Sequence, residues 1–354
     1  MPVLTVLLEQ LLAPVPGGTG RWTAEVTRAL VAGAPPGWRV RGVVGGRAQA
    51  AAVAGLGVEV GSLGVPGRLL SRAWVRGLGP SVPGDAVLAP TVLTPPRRPG
   101  VRLLVVAHDT VAFGEPHALT PHGARWHRAA TLRALSSADV VLAPSAVVAG
   151  ALRRLGGTAE VVVVGAGGTA ALHRAPVDAA ARRARWGLPG RYLLGVGTLE
   201  PRKGWDVAVR AVALRPAIGP LVVVGAQGWG GVDLPGLAAR LGLAPGAVRV
   251  LHGVDDPDLA AVLHGARALV APSRAEGFGL PVLEALAAGV PVVHSADPAL
   301  CELSDGAAGV VPVGDSRALA AALLVPAADP RGALVAARHT WEVVAGRVWR
   351  AVIG

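Results

Sequence analysis

The chain of 354 residues is 52% hydrophobic and 16% charged, enough apolar material for two cores of roughly 170 residues each and too apolar for a disordered chain. Its formal charge of +11 comes from arginines that stand singly or in pairs, as at Arg97-Arg98, Arg153-Arg154 and Arg182-Arg183. Without a clustered basic face or interleaved aromatics this argues against a nucleic-acid partner, and leaves attraction to an anionic membrane surface as the milder reading. A single cysteine, Cys301, excludes an intramolecular disulfide and a multi-cysteine metal site, and suits a reducing cytoplasm.

The stretch from Val3 to Leu12 is apolar enough for a signal-peptide core, but no positive segment precedes it and Glu9 interrupts it; it reads as a first buried strand, Val3–Leu8. Gly17-Gly18-Thr19-Gly20-Arg21 follows, before a helix predicted over Trp22–Val31. A phosphate-binding loop and a plain turn both fit this segment, since it lacks G-x-G-x-x-G spacing and an acid about 20 residues on. Further strands are expected at Arg39–Val44, Ala86–Leu88, Leu103–Ala107, Val140–Ala143 and Glu160–Val164, with a helix over Ala124–Leu135. His108-Asp109 falls at the carboxyl end of one strand, where a histidine can serve a hydroxyl or be satisfied by its own turn. His117, His122 and His127 recur every five residues, off the helical spacing of a metal pair, and with His173 they read as surface or acceptor-side residues. The apolar run Ala138–Leu152 is broken by Pro144 and falls short of the roughly 18 residues of a membrane span.

After an irregular stretch, Gly165–Gly190, the pattern restarts. Strands are expected at Tyr192–Val196, Leu221–Val224, Val248–Leu251, Ala268–Val270, Val290–His294 and Gly309–Val311, and helices at Trp205–Leu214, Leu259–Gly265 and Leu280–Ala288. Strand and helix alternation predicts an α/β protein of two doubly wound, Rossmann-like parallel sheets, over residues 1–170 and 191–330, with a hinge at 171–190. A last helical stretch within 331–354 is expected to pack back on the first domain. In such sheets ligands lie beyond the carboxyl ends of strands, so motifs there carry weight.

Two motifs occupy such positions. V-G-T-L-E-P-R-K-G, Val196–Gly204, joins a strand to a helix and sets Arg202 beside Lys203, the single lysine of a chain with 34 basic residues. Two adjacent cations suit a diphosphate, because a charge pair at 4 Å is worth about 4 kcal/mol at an effective dielectric near 20; a solvated turn is the plain alternative. E-G-F-G-L-P-V-L-E-A, Glu276–Ala285, sets two glutamates eight positions apart around a helix start, with Gly277 and Gly279 allowing backbone amides to approach an anion. A carboxylate next to phosphate is repelled, so Glu276 and Glu284 are expected to hold sugar hydroxyls, although two solvated glutamates at a helix start fit as well. Asp255-Asp256-Pro257-Asp258 reads as a helix cap rather than a metal site.

Together these residues resemble the retaining GT-B glycosyltransferases of family 4. The resemblance is carried by G-G-T-G-R at Gly17–Arg21, H-D at His108-Asp109, A-D-V-V-L-A-P-S at Ala138–Ser145, R-K at Arg202-Lys203, A-P-S at Ala271–Ser273 and E-G-F-G-L-P-V-L-E at Glu276–Glu284. It implies a GT-B fold with two domains facing across a cleft, residues 1–170 binding the acceptor and residues 191–330 the nucleotide sugar, and transfer of a hexose, mannose favoured, from a GDP- or UDP-linked donor to a glycan or lipid-linked acceptor. No metal or other cofactor is implied. By the resemblance, Arg202 and Lys203 neutralise the diphosphate, Glu276 contacts the transferred sugar, Glu284 the ribose, and His108 lies near the reacting carbon. Gly18 and Gly20 approach the donor phosphates or the acceptor, and Gly277, Phe278, Gly279 and Leu280 complete the donor site. Val164-Gly165-Ala166-Gly167-Gly168 departs from the family's usual proline, asparagine, glycine and aspartate run. A catalytically silent sugar-nucleotide-binding subunit and a GT-B sugar-nucleotide epimerase are the alternatives.

Overall fold

The computed structural model describes residues 1–47, 50, 53 and 55–354. The chain forms two compact units, one of residues 1–116, 121–167 and 340–354, the other of residues 117–120 and 168–339. The first unit contains β1 (Val3–Leu7), α1 (Gly17–Ala32), β2 (Arg39–Val44), β3 (Glu59–Ser62), α2 (Gly67–Trp74), β4 (Ala86–Ala89), β5 (Arg102–Val106), α3 (Val111–Gly114), α4 (Pro121–Ser137), β6 (Val140–Ala143), α5 (Ala146–Leu155) and β7 (Glu160–Val163). The second contains α6 (Ala179–Arg185), β8 (Leu193–Val196), α7 (Trp205–Leu214), β9 (Leu221–Val224), α8 (Leu234–Arg240), β10 (Val248–Leu251), α9 (Asp256–Gly265), β11 (Ala268–Ala271), α10 (Leu280–Ala287), β12 (Val292–Ser295), α11 (Pro298–Ser304), β13 (Gly309–Val311), α12 (Ser316–Ala322) and α13 (Arg331–Ala337). The final helix, α14 (Trp341–Ile353), belongs to the first unit.

Each unit is a parallel sheet, with strand order β3-β2-β1-β4-β5-β6-β7 in the first and β10-β9-β8-β11-β12-β13 in the second. Every residue of β4, β6 and β9 is buried, as strands covered by helices on both faces must be. The strand order reverses beside β1 and β4 in the first sheet and beside β8 and β11 in the second, which places the crevices at the carboxyl ends of those strands.

Three local expectations change. The G-G-T-G segment is not a loop: α1 begins at Gly17, so Gly18 and Gly20 lie in its first turn. A Cβ on Gly20 would stand 2.3 Å from Pro16 Cβ, so the glycine there lets the Pro16 ring close over the turn. Residues 171–190, expected as a hinge, include α6, which packs on α9 inside the second unit; Asp258 of α9 accepts from Arg182 Nη1 at 2.7 Å and Trp186 Nε1 at 2.8 Å. The last helical stretch is two helices, divided where the Thr340 hydroxyl caps α14 by accepting from Val343 N at 3.3 Å. Of these, α13 packs on α10, whereas α14 packs on α1, with Trp349 Nε1 donating to Leu30 O at 3.2 Å. Gly167 makes room for that helix, since a Cβ there would meet Trp341 N at 2.6 Å.

Candidate functional site

The reversal point of the second sheet brings the two motifs together. From β8 the chain runs through Gly197–Glu200 into a short 3-10 turn, Pro201–Lys203, and then into α7; from β11 it runs through Pro272 and Ser273 to Glu276. Trp205 anchors the first loop: its ring occupies the space a Gly195 side chain would fill, with a Cβ contact of 2.5 Å, and its Nε1 donates to Thr198 O at 3.0 Å. Gly204 has φ +66°, and a Cβ there would stand 2.1 Å from Pro272 O. That close approach lets Arg274 N donate to Arg202 O at 2.8 Å, tying the loops to each other. Gly204→Ala must therefore pay for both the left-handed backbone and the clash; we expect a loss of about 2 kcal/mol or more in urea unfolding, because neither contact atom is a flexible side-chain end.

The basic pair is not a solvated turn. The Arg202 and Lys203 side chains are 17% and 12% exposed, and both are ion-paired. Arg202 donates from Nη1 to Glu276 Oε2 at 2.9 Å and Ala275 O at 3.0 Å, and from Nη2 to Glu200 Oε1 at 2.6 Å. Lys203 Nζ donates to Glu276 Oε1 at 2.6 Å, and the Ser273 hydroxyl reaches the same oxygen at 2.7 Å. Two cations and two carboxylates thus form a cluster of zero formal charge. Burial pushes the Glu276 carboxyl up, but Lys203 and Arg202 outweigh it and hold the group at about 2. Glu276, expected to hold sugar hydroxyls, pairs with both cations in this arrangement, which is what the cost of burying them alone requires.

Residues that sequence reasoning did not assign support this cluster. Asp297 Oδ2 accepts from Glu276 N at 3.1 Å, while Oδ1 caps α11 by accepting from Ala299 N and Leu300 N at 3.0 and 3.1 Å. Burial raises the Asp297 carboxyl, and the Glu276 charge adds to that. Ser295 Oγ donates to Ser273 O at 2.5 Å and so fixes the turn from which Ser273 reaches Glu276. Glu200 and Ser273 stand inside the motifs quoted above, whereas nothing in the sequence marks Asp297.

The remaining expected residues spread around α10. Gly279 is its N-cap in the left-handed region at φ +105°, and Leu280 is its first residue. A Cβ on Gly279 would lie 2.4 Å from Leu300, so this glycine also serves packing. Gly277 and Phe278 are buried, and the Phe278 ring meets His339 edge-on at 5.5 Å. Glu284 is buried in α10 and accepts from the Thr169 hydroxyl at 3.0 Å. The acidic run at Asp255–Asp258 starts α9 with the expected cap, Asp255 Oδ1 accepting from Asp258 N at 2.8 Å.

His108, Gly18 and Gly20 lie in the first unit. His108 Nε2 donates to Pro90 O at 2.7 Å and its ring stands edge-on to Trp22 at 5.4 Å. Burial lowers its pKa, against smaller opposing effects of the Pro90 carbonyl and Asp109. The Nε2–H bond leaves Nδ1 as the acceptor nitrogen of a neutral ring.

Residues 190–329 match the family described as glycosyl transferases group 1. The chain is 37% identical over 163 residues to O-antigen chain mannosyltransferase B of Escherichia coli, covering 43% of this chain and 42% of that one. It is 41% identical over 190 residues to a D-inositol 3-phosphate glycosyltransferase of Stackebrandtia nassauensis, covering 47% and 43%. The matched regions thus span a little under half the length of these relatives. Among solved structures, sucrose-phosphate synthase from Thermosynechococcus elongatus is similar over 100% of this chain and 99% of its own at a TM-score of 0.72 and 22% identity. Anabaena HepE, solved in complex with UDP-glucose, is similar over 100% of both chains at 0.77 and 18% identity. The fold class is therefore that of the GT-B glycosyltransferases, two doubly wound parallel-sheet units.

Proposed function

We propose that this chain is a retaining, metal-independent glycosyltransferase that moves a hexose from a nucleoside-diphosphate sugar to a glycan or lipid-linked acceptor. The observation that carries this reading is the placement of Arg202 and Lys203, the chain's single lysine, at the reversal point of a sheet inside a glycosyl transferases group 1 domain. Mannose is the favoured sugar, in keeping with the name of the Escherichia coli relative. GDP and UDP are the two candidate carriers, UDP being the one bound in HepE.

As the glycosidic bond breaks, negative charge grows on the departing phosphate oxygen, and fixed N–H donors aimed there stabilise it. Arg202 and Lys203 supply those donors. The incoming diphosphate competes with Glu276 for them, which turns Glu276 toward the sugar hydroxyls, and Glu284 holds the ribose. The departing phosphate takes the acceptor's proton on the same face, so a second carboxylate flanking the bond is not required. His108 acts toward the acceptor as a neutral ring.

That protonation state has a measurable consequence. A histidine whose pKa is lowered by burial is neutral above its ordinary 6.5 and gains its proton only below it. The acid limb of kcat/KM should therefore lie below pH 6.5 and vanish in His108→Gln, which keeps a hydrogen-bonding side chain without the titration. No helix among the described residues is long and apolar enough to cross a membrane; the excess of arginine suits peripheral contact with an anionic inner-membrane face from the cytoplasm.

The test is release of nucleoside diphosphate from a panel of UDP- and GDP-hexoses in EDTA, with a mixture of hydrophobic glycosides as acceptors and NMR of the product's anomeric configuration. The reading predicts acceptor-dependent release and retention. Tight donor binding with no release would favour a silent subunit instead.

A further inference from the structure

In the second unit β12 lies in register beside β11, with His294 opposite Ala271, so the segment after β12 runs alongside the loop that carries Glu276. Two grips join them: Ser295 Oγ donates to Ser273 O at 2.5 Å, and Asp297 Oδ2 accepts from Glu276 N at 3.1 Å. Behind these grips α11 is fixed at both ends. Asp297 Oδ1 takes the amides of Ala299 and Leu300 at its start, and the Ser304 hydroxyl at its end lies 3.0 Å from His294 Nε2. His294 is fully buried, which holds its ring toward the neutral form; with Nδ1–H donating to Ser295 O at 2.7 Å, Nε2 is left to accept from Ser304.

A helix cap needs one acceptor oxygen, which serine or asparagine supplies as well as aspartate. Asp297 has a second, and it is spent on an amide 21 residues away in the chain. The residue is 4% exposed, and three N–H donors meet its carboxylate; they favour the ionised form against burial and the Glu276 charge, which raise the group. A buried charge costs more than a neutral cap would, so what aspartate adds here is the hold on Glu276 and the charge itself. Glu276 is therefore held from two sides, by Lys203, Arg202 and Ser273 on its carboxylate and by Asp297 on its amide. A diphosphate that takes the two cations frees the side chain but not the backbone. Two like charges then face each other, and the mobile one is driven away.

We infer that Asp297 is a positioning residue for Glu276: it fixes the backbone from which Glu276 turns, and its charge directs the freed carboxylate away from α11 and onto the donor's sugar. This rests on the glycosyltransferase reading above for what Glu276 reaches, but not for the hold on its amide. The test uses Asp297→Asn and Asp297→Ser on the full chain, because both keep a cap for α11 while neither keeps the acceptor and charge facing Glu276; in the asparagine an N–H would face the Glu276 N–H instead. Hydrogen exchange read by mass spectrometry should quicken at the segment containing Glu276 and stay as in the wild type over α11. With UDP- and GDP-hexoses, kcat should fall about tenfold or more, since a small misplacement of a reacting group is costly, while the Kd of UDP and GDP stays within about twofold. In a Glu276→Gln background Asp297→Asn should change kcat by less than about twofold, because there is no carboxylate left to direct. Wild-type turnover in both variants, an equal loss of kcat in the Glu276→Gln background, or nucleotide affinity falling as far as turnover would each overturn the role. If the wild type transfers no hexose, the glycosyltransferase reading fails by itself; quickened exchange at Glu276 would then leave the hold standing, and unchanged exchange would remove it too.

Discussion

Lys203→Ala should lower kcat by about 10² to 10³ while changing acceptor KM little, because removing one fixed donor to a developing oxyanion typically costs that much. Lys203 Nζ lies 2.6 Å from Glu276 Oε1 and the side chain is 12% exposed, so its position is set before any ligand arrives. Lys203→Arg is the sharper control. The lysine stem passes beside Gly197, where a Cβ would come within 3.2 Å of Lys203 Cε, and a planar fork does not fit a slot shaped for a compact ammonium. We expect Arg at this position to recover nucleotide binding better than turnover. Steady-state kinetics with saturating acceptor separate the two; a Lys203→Ala enzyme with full kcat would mean that the ammonium only braces Glu276.

Glu276→Gln should separate binding from turnover in the opposite sense. It changes the cluster from two cations against two carboxylates to two against one, a formal charge of +1, with Glu200 the carboxylate left. Breaking one side of a buried ion pair typically costs about 3–5 kcal/mol, so the variant should be less stable than the wild type without nucleotide. A nucleoside diphosphate supplies the missing negative charge, and its binding should tighten while kcat falls. The pH dependence follows from the sign of the shift. A carboxyl held at about 2, against its usual 4.5, stabilises the fold fully above 4.5 and loses that contribution as pH falls toward 2. The difference in Tm between wild type and Glu276→Gln should therefore be constant from about pH 8 to about pH 5 and shrink below that. A gap that closes near neutrality would show that Glu276 is not held ionised by Arg202 and Lys203.

Much of the fold is legible because short runs of β-branched residues recur at regular intervals between stretches of helical period. The predicted strands Arg39–Val44, Leu221–Val224 and Val248–Leu251 coincide with β2, β9 and β10. β3, Glu59–Ser62, escapes that logic: it is a sheet edge with no fully buried residue, so its sequence, E-V-G-S, needs no apolar run. The start of α1 was hidden for a different reason. Glycines at 17, 18 and 20 carry the composition of a loop, and only the Pro16 ring lying over Gly20 shows why a helix tolerates them. In the site, the strand-to-helix positions of Arg202, Lys203 and Glu276 follow from the local pattern, but their mutual pairing does not. Lys203 meets Glu276 across 73 residues and Thr169 meets Glu284 across 115, contacts that depend on which strands are neighbours. Asp297 was invisible for the same reason, since a helix-capping aspartate reads alike whether or not its second oxygen holds a distant backbone amide.

The measurement that bears most directly on the donor site is calorimetric titration of UDP and GDP into wild type and Lys203→Ala in excess EDTA. One nucleotide should bind the wild type without metal and stabilise it, by about 2.7 kcal/mol at 100 times its Kd, and Lys203→Ala should lose most of this affinity. Equal affinity in both proteins, or binding that appears only when a divalent cation is added, would contradict it.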